Sequence, residues 1–426
     1  MKIENYKKRI VDDKIERYLK LFGAISIEGP KYCGKTWAGR YHSNSEILLH
    51  KTTGEQSNNV ELAKMSPSIV LEGEKPRLID EWQEATNLWD EIRIDVDKTG
   101  LKGQYILTGS STPNREGIAH SGAGRYGKIH LRTMSLYESG DSTGNISLED
   151  LCNNKFKGKA TGEVDLRNLA MLIIRGGWPA NLKYSAKDAS EAIEEYINLI
   201  INDDLYRLDG VNRDKHKVRL LLKSLARNES TTVSNMTLKK DINEKDHEDI
   251  DIDTLASYLN ALDKLFLLDN DEPFSTNVRS SVRVKQSEKR HFADPSIACS
   301  ILNIREENKL INDLETFGFL FEAMVERDLK VYADSFNAKC YHYQDYQGKE
   351  IDSVIELKNG EWCAFEIKLG ANQIEKAAND LLNLKKQIED EDGKVPSVLC
   401  VICGLTNAAY QRPDGVYVVP ITALKQ

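Results

Sequence analysis

Apolar and polar positions along this chain follow more than one rhythm, and the changes of rhythm divide it. Up to about residue 155, short apolar runs are separated by helical stretches: Gly23-Ala24-Ile25-Ser26-Ile27, then Arg77-Leu78-Ile79, then Gln104-Tyr105-Ile106-Leu107. Short unbroken apolar runs read as strands buried on both faces. Strands alternating with helices predict a parallel sheet covered on each side, with ligand at the strand carboxyl ends. The stretch Asp141-Ser142-Thr143-Gly144-Asn145 reads as a turn near the end of this part.

From 156 to 305 the rhythm turns helical. A helix over Leu166 to Ile174 stops at the breaker cluster Arg175-Gly176-Gly177-Trp178-Pro179. Lys187 to Leu208 reads as a long amphipathic helix with Ala192, Tyr196, Leu199 and Ile200 on its apolar face. Lys217 to Leu225 opens a winged helix-turn-helix pattern whose recognition helix would be Ile252 to Leu262. A basic hairpin follows, carrying Arg279, Arg283, Lys285, Lys289 and Arg290.

The last part, 306 to 426, opens with an amphipathic helix holding Phe319, Leu320, Glu322, Met324 and Val325. Two alternating strands come next, Lys349 to Ile355 and Trp362 to Lys368, joined around Lys358-Asn359-Gly360. The expected fold is therefore α/β in three parts. A parallel-sheet nucleotide domain spans 1–155, a helical and winged-helix region 156–305, and a small α/β domain 306–426.

The chemistry sits where those strands end. Gly29-Pro30-Lys31-Tyr32-Cys33-Gly34-Lys35-Thr36 fits the phosphate-binding loop G-x-x-x-x-G-K-[ST], between a strand and a helix. Its backbone wraps phosphate oxygens, Lys35 reaches the β- and γ-phosphates, and the Thr36 hydroxyl serves Mg²⁺. Asp80 and Glu81 close the second strand; Asp80 is expected to hold Mg²⁺ through water and Glu81 to polarise the attacking water. Thr108 and Ser110 end the third strand, placed to sense the γ-phosphate. Arg125, in the glycine-rich loop Ser121 to Gly127, is a candidate for stabilising transition-state charge, in cis or across a subunit interface of a homo-oligomer.

A second constellation lies in the last part. Glu366 and Lys368 are two apart on a strand and so share a face. Hairpin pairing brings Asp352 towards them, and Glu322 sits on the preceding helix. Two carboxylates and a lysine converging there are expected to bind a divalent metal through Asp352 and Glu366, and to activate water for phosphodiester hydrolysis.

Composition adjusts the picture in three places. The chain has 426 residues, too many for one ordinary core, with 40% hydrophobic and 29% charged residues. Its net charge of −9 argues against a generally basic nucleic-acid surface. The recognition helix lacks Arg or Lys before Lys264 and follows acidic Glu248-Asp249, so it is expected to pack between domains, leaving the basic wing as the DNA contact. The seven cysteines are scattered; Cys400 and Cys403 form a CxxC inside an apolar strand, read as buried thiols. With no transmembrane-length apolar stretch and no signal peptide, a reduced cytoplasmic protein is expected.

Several of these pieces together resemble a known group. They are Ile27-Glu28-Gly29-Pro30-Lys31 through Lys35-Thr36, Leu78-Ile79-Asp80-Glu81-Trp82-Gln83, and Ile106-Leu107-Thr108-Gly109-Ser110-Ser111. Gly122-Ala123-Gly124-Arg125, Gly176-Gly177-Trp178-Pro179, His291-Phe292-Ala293-Asp294-Pro295 and Phe365-Glu366-Ile367-Lys368 complete the set. The chain is similar to prokaryotic AAA-type P-loop ATPases that carry a C-terminal restriction-endonuclease-like domain of unknown function. The resemblance implies ATP and Mg²⁺ as cofactors, a middle winged helix and an endonuclease-like last domain. That last domain often lacks parts of its site in the family, whereas Glu322, Asp352, Glu366 and Lys368 are all present here. Trp37 departs from the usual small hydroxyl residue and is expected to alter packing under the loop.

The first expectation is an Mg²⁺-dependent ATPase whose nucleotide state moves its other domains. The alternatives are a slow nucleotide switch gating a protein partner and an ATP-regulated, metal-dependent DNA nuclease.

Overall fold

Residues 24–130 form the parallel sheet that the apolar runs predict. The computed structural model describes residues 6–49, 55–112, 120–274, 287–345, 348–391 and 393–426. Strands β1 (Ala24–Glu28), β2 (Ser45–Leu48), β3 (Arg77–Asp80), β4 (Tyr105–Gly109) and β5 (Tyr126–His130) lie in the order β2-β3-β4-β1-β5. Every neighbouring pair is parallel, with Ile27 beside Thr108 and Thr108 beside Asp80.

Period-two alternation sorts the side chains onto two cores. Ile25, Ile27, Leu78 and Ile106 meet Ile15 and Ala38 on one face. Ala24, Ile79, Tyr105 and Leu107 meet Val60, Ala63, Trp89, Ile92 and Val96 on the other. Each fully buried aliphatic side chain contributes roughly 1.5–3 kcal/mol, so both faces hold the strand ends in fixed register.

The chain divides into two compact units. One comprises Met1–Thr133, Asp204–Asn212 and Ala261–Leu267; the other Met134–Asp203, Arg213–Asn260 and Leu268–Gln426. These units do not follow the three consecutive parts read from the sequence. Long-range pairing gathers segments that local rhythm cannot connect.

In the second unit, β6 (Ile146–Ser147) pairs with β14 (Leu424–Lys425). A separate sheet has the order β7-β12-β13-β11-β10-β9-β8. Its strands are β7 (Lys159–Ala160), β8 (Lys339–Gln344), β9 (Glu350–Glu356), β10 (Trp362–Lys368), β11 (Val398–Cys403), β12 (Ala408–Gln411) and β13 (Tyr417–Pro420). The expected hairpin is β9 and β10, paired antiparallel from Trp362 beside Glu356. Gly360, with φ 78°, makes the turn that most side chains would strain. The helix Ile374–Asp390 crosses over to parallel β11 and buries Ala377, Ala378, Leu381 and Leu384 against the sheet. Cys400 and Cys403 are free thiols inside β11, and burial pushes the Cys400 thiol well up.

Local predictions in the middle of the chain need two corrections. The run from Lys187 to Leu208 is a helix Ala186–Leu199, a π-helical turn Ile200–Asp204 and a short helix Leu205–Asp209. Its buried face holds Ala189, Ile193, Tyr196 and Ile197, while Ala192 and Leu199 are exposed. Helices Lys215–Arg227, Asn235–Lys245 and Ile252–Lys264 follow. The last of these buries Leu255, Tyr258, Leu259 and Leu262.

The basic hairpin departs further. Arg279, Arg283 and Lys285 lie outside the described residues. The flanking arms meet through antiparallel bridges, Leu268 with Phe292 and Asp271 with Lys289. Lys289 is buried rather than exposed, and Arg290 is largely buried, donating to Val233 and Asn235. Neither presents its charge as a DNA-contacting wing would require. Among the described residues, no helix is long and apolar enough to cross a membrane.

Candidate functional site

The phosphate loop leaves the carboxyl end of β1 and enters the helix Lys35–Tyr41. Gly29 faces Leu131 so closely that an added Cβ would lie 2.1 Å from its carbonyl oxygen. Gly34 takes φ 106°, a backbone that side chains rarely adopt. Pro30 and Cys33 are buried, and the Cys33 thiol donates to the Leu131 carbonyl at 3.2 Å. Arg9 braces the loop from outside, donating to the Cys33 carbonyl at 2.9 Å and the Arg132 carbonyl at 3.0 Å.

Side chains of the loop divide by role. Lys35 is buried and donates its ammonium to the Pro30 carbonyl at 2.7 Å, curled over the loop it would release to meet phosphate. Lys31 is turned away, paired with Asp204 at 2.6 Å, so its contribution to a phosphate cradle is backbone. Tyr32 is exposed. Trp37, in place of the usual small hydroxyl residue, is 49% exposed.

Neighbouring strand ends bring the next groups in. Asp80, 2% exposed, accepts the Thr36 hydroxyl at 2.9 Å and the Thr108 hydroxyl. Both of these donors are neutral hydroxyls. Together Asp80 and Thr36 make an all-oxygen set that suits Mg²⁺, a hard cation that keeps water and phosphate among its ligands.

Glu81 follows with φ 57° and ψ 45°, a left-handed backbone that costs a non-glycine residue roughly 1–2 kcal/mol. Its carboxylate accepts Ser110 Oγ at 2.9 Å and the Gln83 amide. Gln83 had no assigned role in the sequence. Its place two residues beyond Glu81 was visible, but its aim depends on the 3₁₀ turn Trp82–Ala85. Gly109 lets that turn approach, since a Cβ there would lie 3.0 Å from the Gln83 oxygen.

Arg125 is not brought to this site. Its carbonyl accepts from Ala24, the first residue of β1, and β5 runs on from Tyr126 parallel to β1. It therefore lies at the amino ends of the strands, on the order of 15 Å from the loop along five strand residues. Its guanidinium pairs with Asp97 at 2.7 Å. A cis role at its own phosphate loop is corrected on that geometry: a loop entering a parallel strand lies at the edge opposite the ligand.

The second constellation does assemble. Lys368 contacts Asp352 at 2.9 Å and Glu366 at 2.6 Å, and the Ile367 amide donates to Asp352 at 2.7 Å. Glu322 reaches the same place from the helix Leu314–Ser335, but what it meets there is Lys289. The Lys289 ammonium contacts Glu322, donates to the Asp352 carbonyl at 3.1 Å and lies 3.9 Å from Asp352 Oδ1.

Charge in this cluster is set by burial and by the lysines. Burial pushes Glu322 up to about 7 and Glu366 up to about 8, against the pull of Lys289 and Lys368 respectively. For Lys289, burial opposes the ammonium, but Glu322, Asp352 and Glu326 together raise it above its ordinary value. Asp352 is held low despite its burial, mainly by Lys368 and Lys289. Among the described residues, no group of three or more His, Cys, Asp or Glu is arranged to hold a metal ion. Asp352, Glu366 and Lys368 converge, and the Lys289 ammonium stands beside Asp352 as a further charge that the sequence reading did not place there.

Beside the cluster runs a second buried ionic chain that sequence reading missed. His291 meets Glu229 at 3.2 Å and Asp271 at 3.3 Å, and Lys330 meets Asp271 at 2.9 Å. Burial works against a charged His291, yet Asp271 and Glu229 raise it to about 9. Further along, the Gly177 amide and Arg327 converge on Asp294 at 2.9 Å and 3.1 Å, and Trp178 donates to Ser296 at 2.9 Å. The Gly-Gly-Trp-Pro and Ala-Asp-Pro motifs thus meet in a buried joint.

Comparison with known proteins agrees with the first site. Residues 22–139 match the family model of the AAA domain. Residues 166–308 and 317–424 match two domains of unknown function, DUF8612 and DUF4143. An AAA-type P-loop ATPase domain therefore occupies the N-terminal part of the chain, and it carries the nucleotide motifs.

An uncharacterized protein of Mycobacterium tuberculosis, Rv2008c, is 23% identical over 359 residues, 83% of this chain and 72% of that protein. Mb2031c of Mycobacterium bovis matches to the same extent. Among solved structures, the Walker-type ATPase PABY2304 of Pyrococcus abyssi is 14% identical, with a TM-score of 0.44 over 71% of this chain and 97% of that one. The RuvB Holliday junction branch migration motor of Thermotoga maritima is 15% identical, with a TM-score of 0.27 over 61% of this chain and 88% of that one.

Proposed function

We propose that this protein binds ATP with Mg²⁺ and hydrolyses it, and that nucleotide state gates the rest of the chain. The observation that carries the reading is the meeting of three strand ends on one acid pair. Asp80 holds the hydroxyls of Thr36 and Thr108, and Glu81 is fixed by Ser110 and Gln83.

In this reading Lys35 leaves the Pro30 carbonyl and takes up the β- and γ-phosphates. Thr36 and Asp80 would hold Mg²⁺, whose charge offsets that of the phosphates. Glu81 orients a water and draws its proton as the water oxygen bonds to the γ-phosphorus. The bond to the β–γ bridging oxygen breaks, giving ADP and phosphate. Thr108 and Ser110 tie the acid pair to β4, so loss of the γ-phosphate is felt at that strand.

ATP binding and turnover by the full chain with Lys35→Ala and Glu81→Gln test the site. Lys35→Ala is expected to lose binding. Glu81→Gln is expected to keep binding while turnover falls on the order of 10²-fold or more. Normal hydrolysis by both variants would overturn the assignment.

A further inference from the structure

The cluster around Glu322 and Asp352 is built as a cation site, and the cation is part of the chain. Three oxygens surround the Lys289 ammonium: a Glu322 carboxylate oxygen, the Asp352 carbonyl at 3.1 Å and Asp352 Oδ1 at 3.9 Å. Carboxylate and carbonyl oxygens of this kind are what hard divalent ions bind. Lys368 contacts both Asp352 and Glu366, at 2.9 Å and 2.6 Å.

Lys289 is placed there by main chain, not by a long side chain settling on a surface. Its amide and carbonyl exchange hydrogen bonds with Asp271, both at 3.0 Å. The same arm continues to Phe274, whose amide donates to His342 of β8 at 2.7 Å. The lysine is thus registered against the sheet that carries Asp352. An ammonium is held in the position by backbone pairing, and a dissociable ion would have to displace it.

We propose that the Lys289 ammonium is a built-in replacement for a divalent cation between Glu322 and Asp352, so that the native domain takes up no metal there. It follows that removing the ammonium opens a site for a hard divalent ion. This inference is independent of ATP hydrolysis at the phosphate loop and stands or falls separately.

The test is Mn²⁺ titration of the nucleotide-free full chain, followed by water proton relaxation. Wild type and Asp352→Asn share the same phosphate loop, and the proposal expects them to bind Mn²⁺ alike. A loss of Mn²⁺ binding in Asp352→Asn would overturn it. Lys289→Met, close to lysine in length but uncharged, is expected to gain one Mn²⁺ per chain. Its affinity there should exceed that of wild type on the order of tenfold or more, and the gain should vanish in Lys289→Met/Asp352→Asn. A folded Lys289→Met that gains nothing also overturns the proposal. If Lys289→Met folds only with Mn²⁺ present, that supports it; if it does not fold at all, the wild-type and Asp352→Asn pair decides.

Discussion

Two acid-bearing sites in this chain differ in the company their carboxylates keep. At the phosphate loop, the buried Asp80 accepts hydroxyls from Thr36 and Thr108, and the half-buried Glu81 accepts an alcohol and an amide. In the second unit, Glu322, Asp352 and Glu366 are buried among the ammonium groups of Lys289 and Lys368. Hydroxyl and amide donors orient a carboxylate without adding charge of their own. Beside Lys289 and Lys368 the Asp352 charge is compensated within the fold, while burial favours the protonated forms of Glu322 and Glu366. The same residue types thus meet hydroxyl and amide donors in one place and ammonium groups in the other.

The largest effect expected from this contrast is on turnover. Glu81→Gln should lower ATP hydrolysis on the order of 10²-fold, while Glu366→Gln should leave it within about twofold, measured as phosphate release. Equal losses in both would erase the distinction between the two sites.

Stability should separate them in the opposite sense. Asp352→Ala takes one carboxylate from the buried Lys289 ammonium and the half-buried Lys368 ammonium, leaving them Glu322 and Glu366, and should cost about 3–5 kcal/mol in denaturant unfolding. Asp80→Ala removes the acceptor of two hydroxyls and should cost about 1–3 kcal/mol. The reverse order would show that the lysines are not what Asp352 serves.

A smaller effect is expected on pH dependence. Glu322, Glu326 and Glu366 are raised by burial to about 7, 8 and 8, and His291 is raised to about 9. Each holds a proton in the folded chain that the unfolded chain has released, so stability falls as pH rises. For the acids the loss runs from their ordinary value near 4.5 to their folded values; for His291 it runs from 6.5 to about 9. The melting temperature should therefore drop between about pH 7 and pH 9. Glu326→Gln should flatten its part of that slope, and a melting temperature that rises over the window would contradict the assignment.

The smallest expected effect concerns Arg125. Its place at the amino ends of the strands predicts that Arg125→Ala leaves turnover of dilute protein within about twofold of wild type. A loss that appears only as protein concentration rises would support action across a subunit interface. A loss at every concentration would contradict the position described.

The sequence carried the first site almost completely. Strand ends at Glu28, Asp80 and Thr108 were legible because each strand is a short apolar run whose polar residues begin where the sheet stops. The hairpin of β9 and β10 was legible for the same reason of alternation. Lys289 was not, because it stands in a run of basic residues that reads as a solvated wing. Only pairing with Asp271 turns it inward. The cis option for Arg125 was misread because a glycine-rich loop does not say at which edge of the sheet it lies, whereas strand β5 immediately after it fixes that edge.

By itself, then, the sequence determined which segments are strands and helices and which residue types end them, because those properties follow from local periodicity and steric preference. It thereby determined a P-loop, an acid pair and a set of carboxylates with a lysine. Tertiary structure decided which charge faces which. That choice depends on contacts between residues tens of positions apart, such as Lys289 with Glu322 and Asp352, and local pattern holds no record of them. Buried electrostatics are governed by the nearest opposite charge, so acids of the same types came to face hydroxyl and amide donors at one site and lysine ammonium groups at the other.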